Sequence, residues 1–192
     1  MTTEPRQRAV FLDRDGTLIV DRKGLLRAEE LELLPGVAEA VAQLNQRGWR
    51  TIVVTNQPVI ANGLCSEADL GRIHDELRNL LGRKGAFLDR IYFRPHHPEK
   101  GVVGERPELK LDCDCRKPKP GMIMRAAQEL NLDLSACWMI GDATADLQTA
   151  RNAGVRSILV RTGHAGRDGK FAAAPNFTAE NLLEAVARIL GG

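Results

Sequence analysis

The 192-residue sequence predicts one α/β domain over residues 1–192, built on a doubly wound, Rossmann-like parallel sheet. Short apolar runs recur at residues 10–12, 51–54, 91–93, 137–140 and 157–160, too short for helices and suited to buried strands. Segments of helical periodicity lie between most of them, and such alternation requires right-handed crossovers onto a mainly parallel sheet covered on both faces. The composition, 43% apolar and 27% charged, suits a domain that buries a core, and no apolar run approaches the roughly 20 residues of a membrane span.

Each element has its local reason. After the first strand, Val37, Val41 and Leu44 define a helix with one apolar face, which leaves through Gly48. Strand 51–54 leads to a helix with Leu70, Ile73, Leu77 and Leu80 on one face, capped by Ser66 with Asp69 three residues on. Strand 91–93 opens into a ligand-rich loop, residues 95–117. Ile123, Ala126, Ala127 and Leu130 then mark a third helix with Pro120 in its first turn. Gly154 suits a helix exit between strands 137–140 and 157–160. Residues 163–174, rich in Gly and Ala, read as a surface loop before a last helix at about residues 179–190. Cys65 and Cys137 read as small packing residues.

Several function classes receive little support. Residues 1–8 are polar and lack the apolar segment of a secretory signal, so a cytoplasmic protein is expected. A net charge of +2 with scattered aromatics offers neither a basic stripe nor a stacking platform for nucleic acid. No large apolar surface stripe is visible, which makes a monomer the expectation.

Ligands of open α/β sheets bind at the carboxyl ends of the strands, so the first polar residues after each run matter most. These are Asp13-Arg14-Asp15-Gly16-Thr17, Thr55-Asn56-Gln57, and Asp142 with Asp146, while Lys117 follows the loop that leaves the third strand. Singly, an Asp after a strand is more often a turn residue or a cap. Together they bring several carboxylates, a hydroxyl and an ammonium to one sheet edge. Neighbouring carboxylates repel unless a cation sits among them, which predicts a hard divalent ion, Mg²⁺, and a site for phosphate.

Asp13-Xaa-Asp15-Gly-Thr, Thr55, Lys117 and Gly141-Asp142-Xaa3-Asp146 resemble the four motifs of the haloacid dehalogenase-like phosphatases, and the match spans almost the whole chain. The resemblance implies that Asp13 forms an aspartyl-phosphate and that Asp15 protonates the leaving alkoxide and later deprotonates water. It implies further that Thr55 and the backbone N–H of Asn56 hold phosphoryl oxygens and that Lys117 balances their charge, oriented by Asp146. Mg²⁺ would be held by the side chains of Asp13 and Asp142 and the backbone carbonyl of Asp15.

Such phosphatases often have a mobile cap, but only 37 residues separate Thr17 from Thr55 and 61 separate Thr55 from Lys117, so a capless enzyme is expected. Loops must then select the substrate. His96-His97 and Cys113-Asp114-Cys115-Arg116-Lys117-Pro118, with Thr55-Asn56-Gln57, resemble the D-glycero-D-manno-heptose-1,7-bisphosphate 7-phosphatases and the related histidinol-phosphate phosphatases. That family has a Cys-Pro-His-His-Pro run and a zinc held by three cysteines and a histidine. Here the run is Arg94-Pro95-His96-His97-Pro98, which leaves His96, Cys113 and Cys115 as zinc ligands, one short of a closed tetrahedral site. His97, Asp114 or water could complete it, or Arg94 could bridge to an acid and fold the loop without metal.

The family's Asn-Gln-Ser-Gly-Ile-Ala-Arg-Gly run appears as Asn56-Gln57-Pro58-Val59-Ile60-Ala61-Asn62-Gly63, and Lys23-Gly24-Leu25 stands where an aromatic usually follows the first motif. Arg116 offers a planar fork to a phosphate or a sugar hydroxyl. The sequence therefore predicts hydrolysis of a small phosphate ester, a heptose bisphosphate first and histidinol phosphate second. A mutase or phosphotransferase must exclude water, which the missing cap argues against. A 3′-phosphatase on nucleic-acid ends lacks a basic groove, and a noncatalytic phosphosugar-binding module is the remaining alternative.

Overall fold

A computed structural model describes residues 6–191; of the polar start read as lacking a leader, residues 1–5 lie outside them. The elements in chain order are β1 (Ala9–Leu12), α1 (Val37–Gln46), β2 (Arg50–Asn56), α2 (Glu67–Gly82), β3 (Arg90–Arg94), α3 (Gly121–Glu129), β4 (Trp138–Gly141), α4 (Thr144–Ala153), β5 (Arg156–Val160), β6 (Phe177–Ala179) and α5 (Leu182–Gly191). Among the described residues they form one parallel sheet ordered β3-β2-β1-β4-β5-β6. The direction of winding reverses between β1 and β4, which opens a crevice at their carboxyl ends.

The period-2 alternation of strand side chains divides the core in two. Val10 and Leu12 of β1 point with Val53, Ile140 and Ile158 into a cluster shared with Val41 of α1, Leu77 of α2 and Val186 of α5. Ala9 and Phe11 point the other way, with Ile52, Val54 and Met139, against Ile123 of α3 and Ala150 of α4. With every residue of β1 and β4 buried, the strand ends that carry the polar residues cannot shift without disturbing both clusters.

Three features differ from the sequence reading. Residues 177–179 are an edge strand that takes in Ala179, the expected start of the last helix, which instead begins at Leu182. Phe177 and Thr178 are exposed, so no apolar run announces β6. The buried face of α2 runs through Leu70, Ile73, His74, Leu77 and Leu81, with Leu80 only half-buried, so a histidine lies inside the apolar stripe. Pro120 is the residue before α3 rather than part of its first turn.

The segment between β1 and α1 is a short flap, pinned by the Ile19–Leu33 bridge and by Val20 N–H donating to the Glu32 carbonyl at 3.0 Å. The segment between β3 and α3 is a loop with one 3-10 turn at Pro107–Leu109. No cap domain covers the sheet edge among the described residues, and no helix there is long and apolar enough to cross a membrane.

Ser66 and Asp69 form the expected capping box on α2: the Ser66 hydroxyl accepts from Asp69 N–H at 3.1 Å and the Asp69 carboxylate accepts from Ser66 N–H at 3.0 Å. Ser66→Ala should lower stability by about 1 kcal/mol in urea unfolding, with no change in the dependence on denaturant concentration.

Candidate active site

Asp13 is the first residue beyond β1, and its N–H donates to the Ile140 carbonyl at 3.0 Å, which ties the ends of β1 and β4 together. Thr55 and Asn56 close β2, Asp142 follows β4, and Asp146 lies in the first turn of α4. All eight residues that the sequence assigned to the phosphate chemistry, Asp13, Asp15, Thr55, Asn56, Arg116, Lys117, Asp142 and Asp146, line one cavity of about 360 Å³.

Its centre is Lys117. The buried ammonium donates to Asp13 Oδ1 at 2.7 Å and to Asp146 Oδ1 at 2.6 Å. Burial opposes its charge, but the two carboxylates outweigh burial and hold its pKa above the ordinary lysine value. Asp146 is fixed in turn, because its Oδ2 accepts from Ala143 N–H at 3.1 Å. A Cβ at Gly141 would come within 2.3 Å of Asp146 Oδ2, so only glycine leaves this carboxylate its place.

One ammonium does not neutralise three carboxylates. Ligand atoms of Asp13, Asp142 and Asp146 lie within 4.8 Å of one another, so full ionisation with Lys117 leaves two negative charges in a buried site. Burial first, with Asp146, Asp142 and Asp15 adding to it, pushes the Asp13 pKa well above the ordinary carboxylate value despite Lys117. Burial likewise raises Asp142 to about 6, with a contribution from Asp146. Oxygen ligands carrying two uncompensated charges fit a hard divalent cation.

Asp142 is gripped by the segment 163–174, whose Gly and Ala content predicts a surface loop. His164 N–H donates to Asp142 Oδ2 at 2.6 Å and Gly166 N–H donates to the Asp142 carbonyl at 2.7 Å. Gly163 has a φ of 57° and a Cβ there would lie 2.1 Å from Asp142 Oδ2. Asp168 anchors the same loop, accepting from the N–H and the hydroxyl of Thr144 at 2.7 Å each. The segment has no apolar period, so nothing in its sequence reveals that it forms a wall of the site.

Thr55 Oγ1 accepts from Gln57 Nε2 at 2.8 Å, which leaves its own O–H free to donate. Asn56 holds the Lys117 backbone from both sides: Oδ1 accepts from Lys117 N–H at 3.1 Å and Nδ2 donates to the Lys117 carbonyl at 3.2 Å. Lys23, noted in the sequence as part of the Lys23-Gly24-Leu25 run, also lines the cavity, as do Asp21, His164 and Lys170, which carry no sequence signal. Gln57 was legible as part of the Thr55-Asn56-Gln57 run, but its role was not.

A family model described as HAD-hydrolase-like matches residues 114–185. D-glycero-beta-D-manno-heptose-1,7-bisphosphate 7-phosphatase of Escherichia coli K12 is 40% identical over 156 residues, 81% of this chain and 80% of its own length. The protein of the same name from Pasteurella multocida is 38% identical over 181 residues, 93% of this chain and 94% of its own. The chain belongs to the heptose-bisphosphatase family of haloacid dehalogenase-like phosphatases. Among solved structures, D,D-heptose 1,7-bisphosphate phosphatase from B. bronchiseptica, complexed with magnesium and phosphate, matches with a TM-score of 0.83 and 32% identity, covering 96% of this chain and 98% of that one.

The zinc ligands implied by resemblance to the heptose bisphosphatases are not assembled. Among the described residues, Asp13, Asp142 and Asp146 are the one group of His, Cys, Asp or Glu that brings three ligand atoms within 4.8 Å of one another. His96 has a buried Nδ1 without a partner, but Cys113 and Cys115 do not join it, and the three do not fit a zinc ion together. Burial, and then the Arg94 guanidinium, lower the His96 pKa, and the same guanidinium repels a dication.

Arg94 makes no ion pair with an acid among the described residues, so that expected bridge is absent as well. A buried lysine braces the loop instead: Lys110 Nζ donates to Asn62 Oδ1 at 2.6 Å and pairs with Glu105 at 3.4 Å. Glu105 Oε2 in turn accepts from the N–H groups of Gly101 and Val102 at 2.9 and 3.0 Å. Asn62, the replacement for the family's arginine, is thus the acceptor for Lys110.

Two outcomes follow from this geometry. A zinc chelator should leave the melting temperature unchanged. The second concerns Asp142, whose pKa of about 6 in the metal-free fold exceeds its ordinary 3.8, so the cost of ionising it is absent below pH 3.8, grows as pH rises from there to 6, and is fully present above 6. In thermal unfolding, Mg²⁺ should therefore raise the melting temperature much more at about pH 8 than at about pH 5.

Proposed function

We propose that this chain is a Mg²⁺-dependent phosphomonoesterase that removes the 7-phosphate of D-glycero-β-D-manno-heptose 1,7-bisphosphate through an aspartyl-phosphate at Asp13. The observation that carries the reading is the eight-residue constellation around Lys117, in a chain 38% identical across 93% of its length to a relative named for that reaction. A Mg²⁺ held by the carboxylates of Asp13 and Asp142 and the carbonyl of Asp15 would offset the site's excess negative charge and polarise the phosphoryl group.

The chain's own residues account for the remaining steps. Lys117, 2.7 Å from Asp13, offsets repulsion between the nucleophilic carboxylate and the phosphoryl oxygens. An oxygen of Asp13 bonds to phosphorus as the bond from phosphorus to the sugar oxygen breaks, and Asp15 gives its proton to that departing oxygen. Water then attacks phosphorus and yields its proton to Asp15, the acyl phosphate bond breaks, and Asp13 is restored. The Thr55 hydroxyl and the backbone N–H of Asn56 hold phosphoryl oxygens, while the Asn56 side chain keeps the Lys117 backbone in register.

Outside the catalytic cluster the cavity carries Lys23, Arg116 and Lys170 against the single carboxylate of Asp21. This excess of cations suits the second phosphate of a bisphosphate and disfavours histidinol phosphate, whose amine is itself cationic. The reading includes a cytoplasmic, single-domain monomer acting on a small ester, and the four unpaired cysteines suit a reducing compartment.

The test is phosphate release with Mg²⁺ across both heptose 1,7-bisphosphate anomers, histidinol phosphate, hexose phosphates and a 3′-phosphorylated oligonucleotide. The β anomer should lead in kcat/KM by about a hundredfold, equivalent to about 2.7 kcal/mol, and Asp13→Asn should lower turnover by about a thousandfold or more. Equal rates for wild type and Asp13→Asn would refute the assignment.

A further inference from the structure

Arg14 stands between the two aspartates of the first motif, and its side chain is 0% exposed. A guanidinium keeps its charge in proteins, and burying it is costly unless its N–H groups find acceptors. Three groups supply them. Nε and Nη2 donate to Asp15 Oδ2 and Oδ1 at 3.1 and 3.0 Å, and Nη2 also donates to Gln57 Oε1 at 2.9 Å. On the far side, Nη1 meets Nε2 of His74, from the buried stripe of α2, at 3.4 Å. Because the guanidinium can only donate, that His74 nitrogen is the acceptor, and the ring proton sits on Nδ1. Burial first, then Arg14, lower the His74 pKa to about 3, so the ring is neutral, and it lies tilted against Phe93 with centroids 5.7 Å apart.

The carboxyl of Asp15 is held unequally. Oδ2 accepts from Arg14 Nε and from Gln57 Nε2 at 2.8 Å, whereas Oδ1 accepts from Arg14 Nη2 alone. A proton on Oδ2 would oppose two fixed donors, so Oδ1 is the oxygen with room for the proton that Asp15 transfers. Gln57 Nε2 also reaches Thr55 Oγ1, which joins this clamp to the phosphate-holding hydroxyl.

We propose that His74 is a positioning residue for the acid step: it accepts from Arg14, which fixes the plane of the Asp15 carboxyl and leaves Oδ1 to exchange its proton with the leaving oxygen. The inference rests on the acid/base role given to Asp15 above. A helix residue 59 positions after Asp15 in the chain thereby tunes proton transfer without touching substrate.

The test uses the leaving group. kcat/KM reports steps up to formation of the aspartyl-phosphate; a sugar alkoxide needs a proton to depart, whereas p-nitrophenolate does not. His74→Leu, which removes the acceptor, should lower kcat/KM for the heptose bisphosphate by about tenfold or more while p-nitrophenyl phosphate changes by less than about twofold. His74→Gln, whose side-chain oxygen reaches the place of Nε2, should restore the sugar ester. His74→Asn, too short to reach Arg14, should not, so this polar pair carries the test if His74→Leu does not fold.

Equal losses on both esters, or no loss on either, would overturn the inference. Asp15→Asn is the control: it should raise the aryl-to-alkyl ratio of kcat/KM. If Asp15→Asn raises that ratio and the His74 variants do not, only the positioning role falls. If Asp15→Asn leaves the ratio unchanged, the acid role falls and this inference with it.

Discussion

Lys117 Nζ lies between Asp13 and Asp146, and that buried contact joins three parts of the chain that are distant in sequence. Asp13 follows β1, Asp146 lies in the first turn of α4, and Lys117 comes from the loop ahead of α3. An ammonium withdrawn from water needs acceptors for its N–H groups, and Asp13 and Asp146 supply two of them. The interaction therefore fixes where the loop 95–117 returns to the sheet. It also fixes the side of Asp13 that remains open to a phosphoryl group.

The same charge balance explains why the site suits phosphate only as a whole. Asp13, Asp142 and Asp146 exceed Lys117 by two charges, and burial makes that excess costly. The protein holds it in place with rigid donors: the Ala143 N–H on Asp146, the His164 N–H on Asp142, and glycines at 141 and 163 where a Cβ would strike the carboxylates. Such a site is preorganised for a dication and a dianion and destabilised without them. Arg14, His74 and Gln57 extend this to Asp15, whose bidentate clamp replaces the freedom of a solvated carboxylate by one orientation.

A buried ammonium holds the loop 95–117 in place of the zinc that the resemblance implied. Arg94 in place of a cysteine sets a guanidinium where a zinc site would need a thiolate, and Cys113 and Cys115 are not brought to His96. Lys110, buried against Asn62 and Glu105, holds the loop instead. Asn62, where the family run has arginine, is an acceptor for this buried ammonium. Arg116, which donates to the His96 carbonyl at 3.4 Å, lines the cavity wall.

The five apolar runs read as strands, the capping box at Ser66 and the residues at the strand ends were legible in the sequence because each is a local pattern: a period, a spacing, or a polar residue directly after a buried strand. From these, the parallel α/β architecture and the eight residues around one cavity followed. The three-residue edge strand β6, His74 within the stripe of α2, the grip of residues 163–174 on Asp142 and the Lys110 brace did not follow. Each depends on a contact across tens of residues between groups with no periodic signal. A histidine on a helix face, a Gly-rich turn and a lysine in a loop have no chemical meaning until packing decides what water they lose and which partner replaces it. Residue type and spacing determined which chemistry the chain can perform, while burial and long-range hydrogen bonding, set only by the tertiary fold, decided how each group is charged, aimed and held.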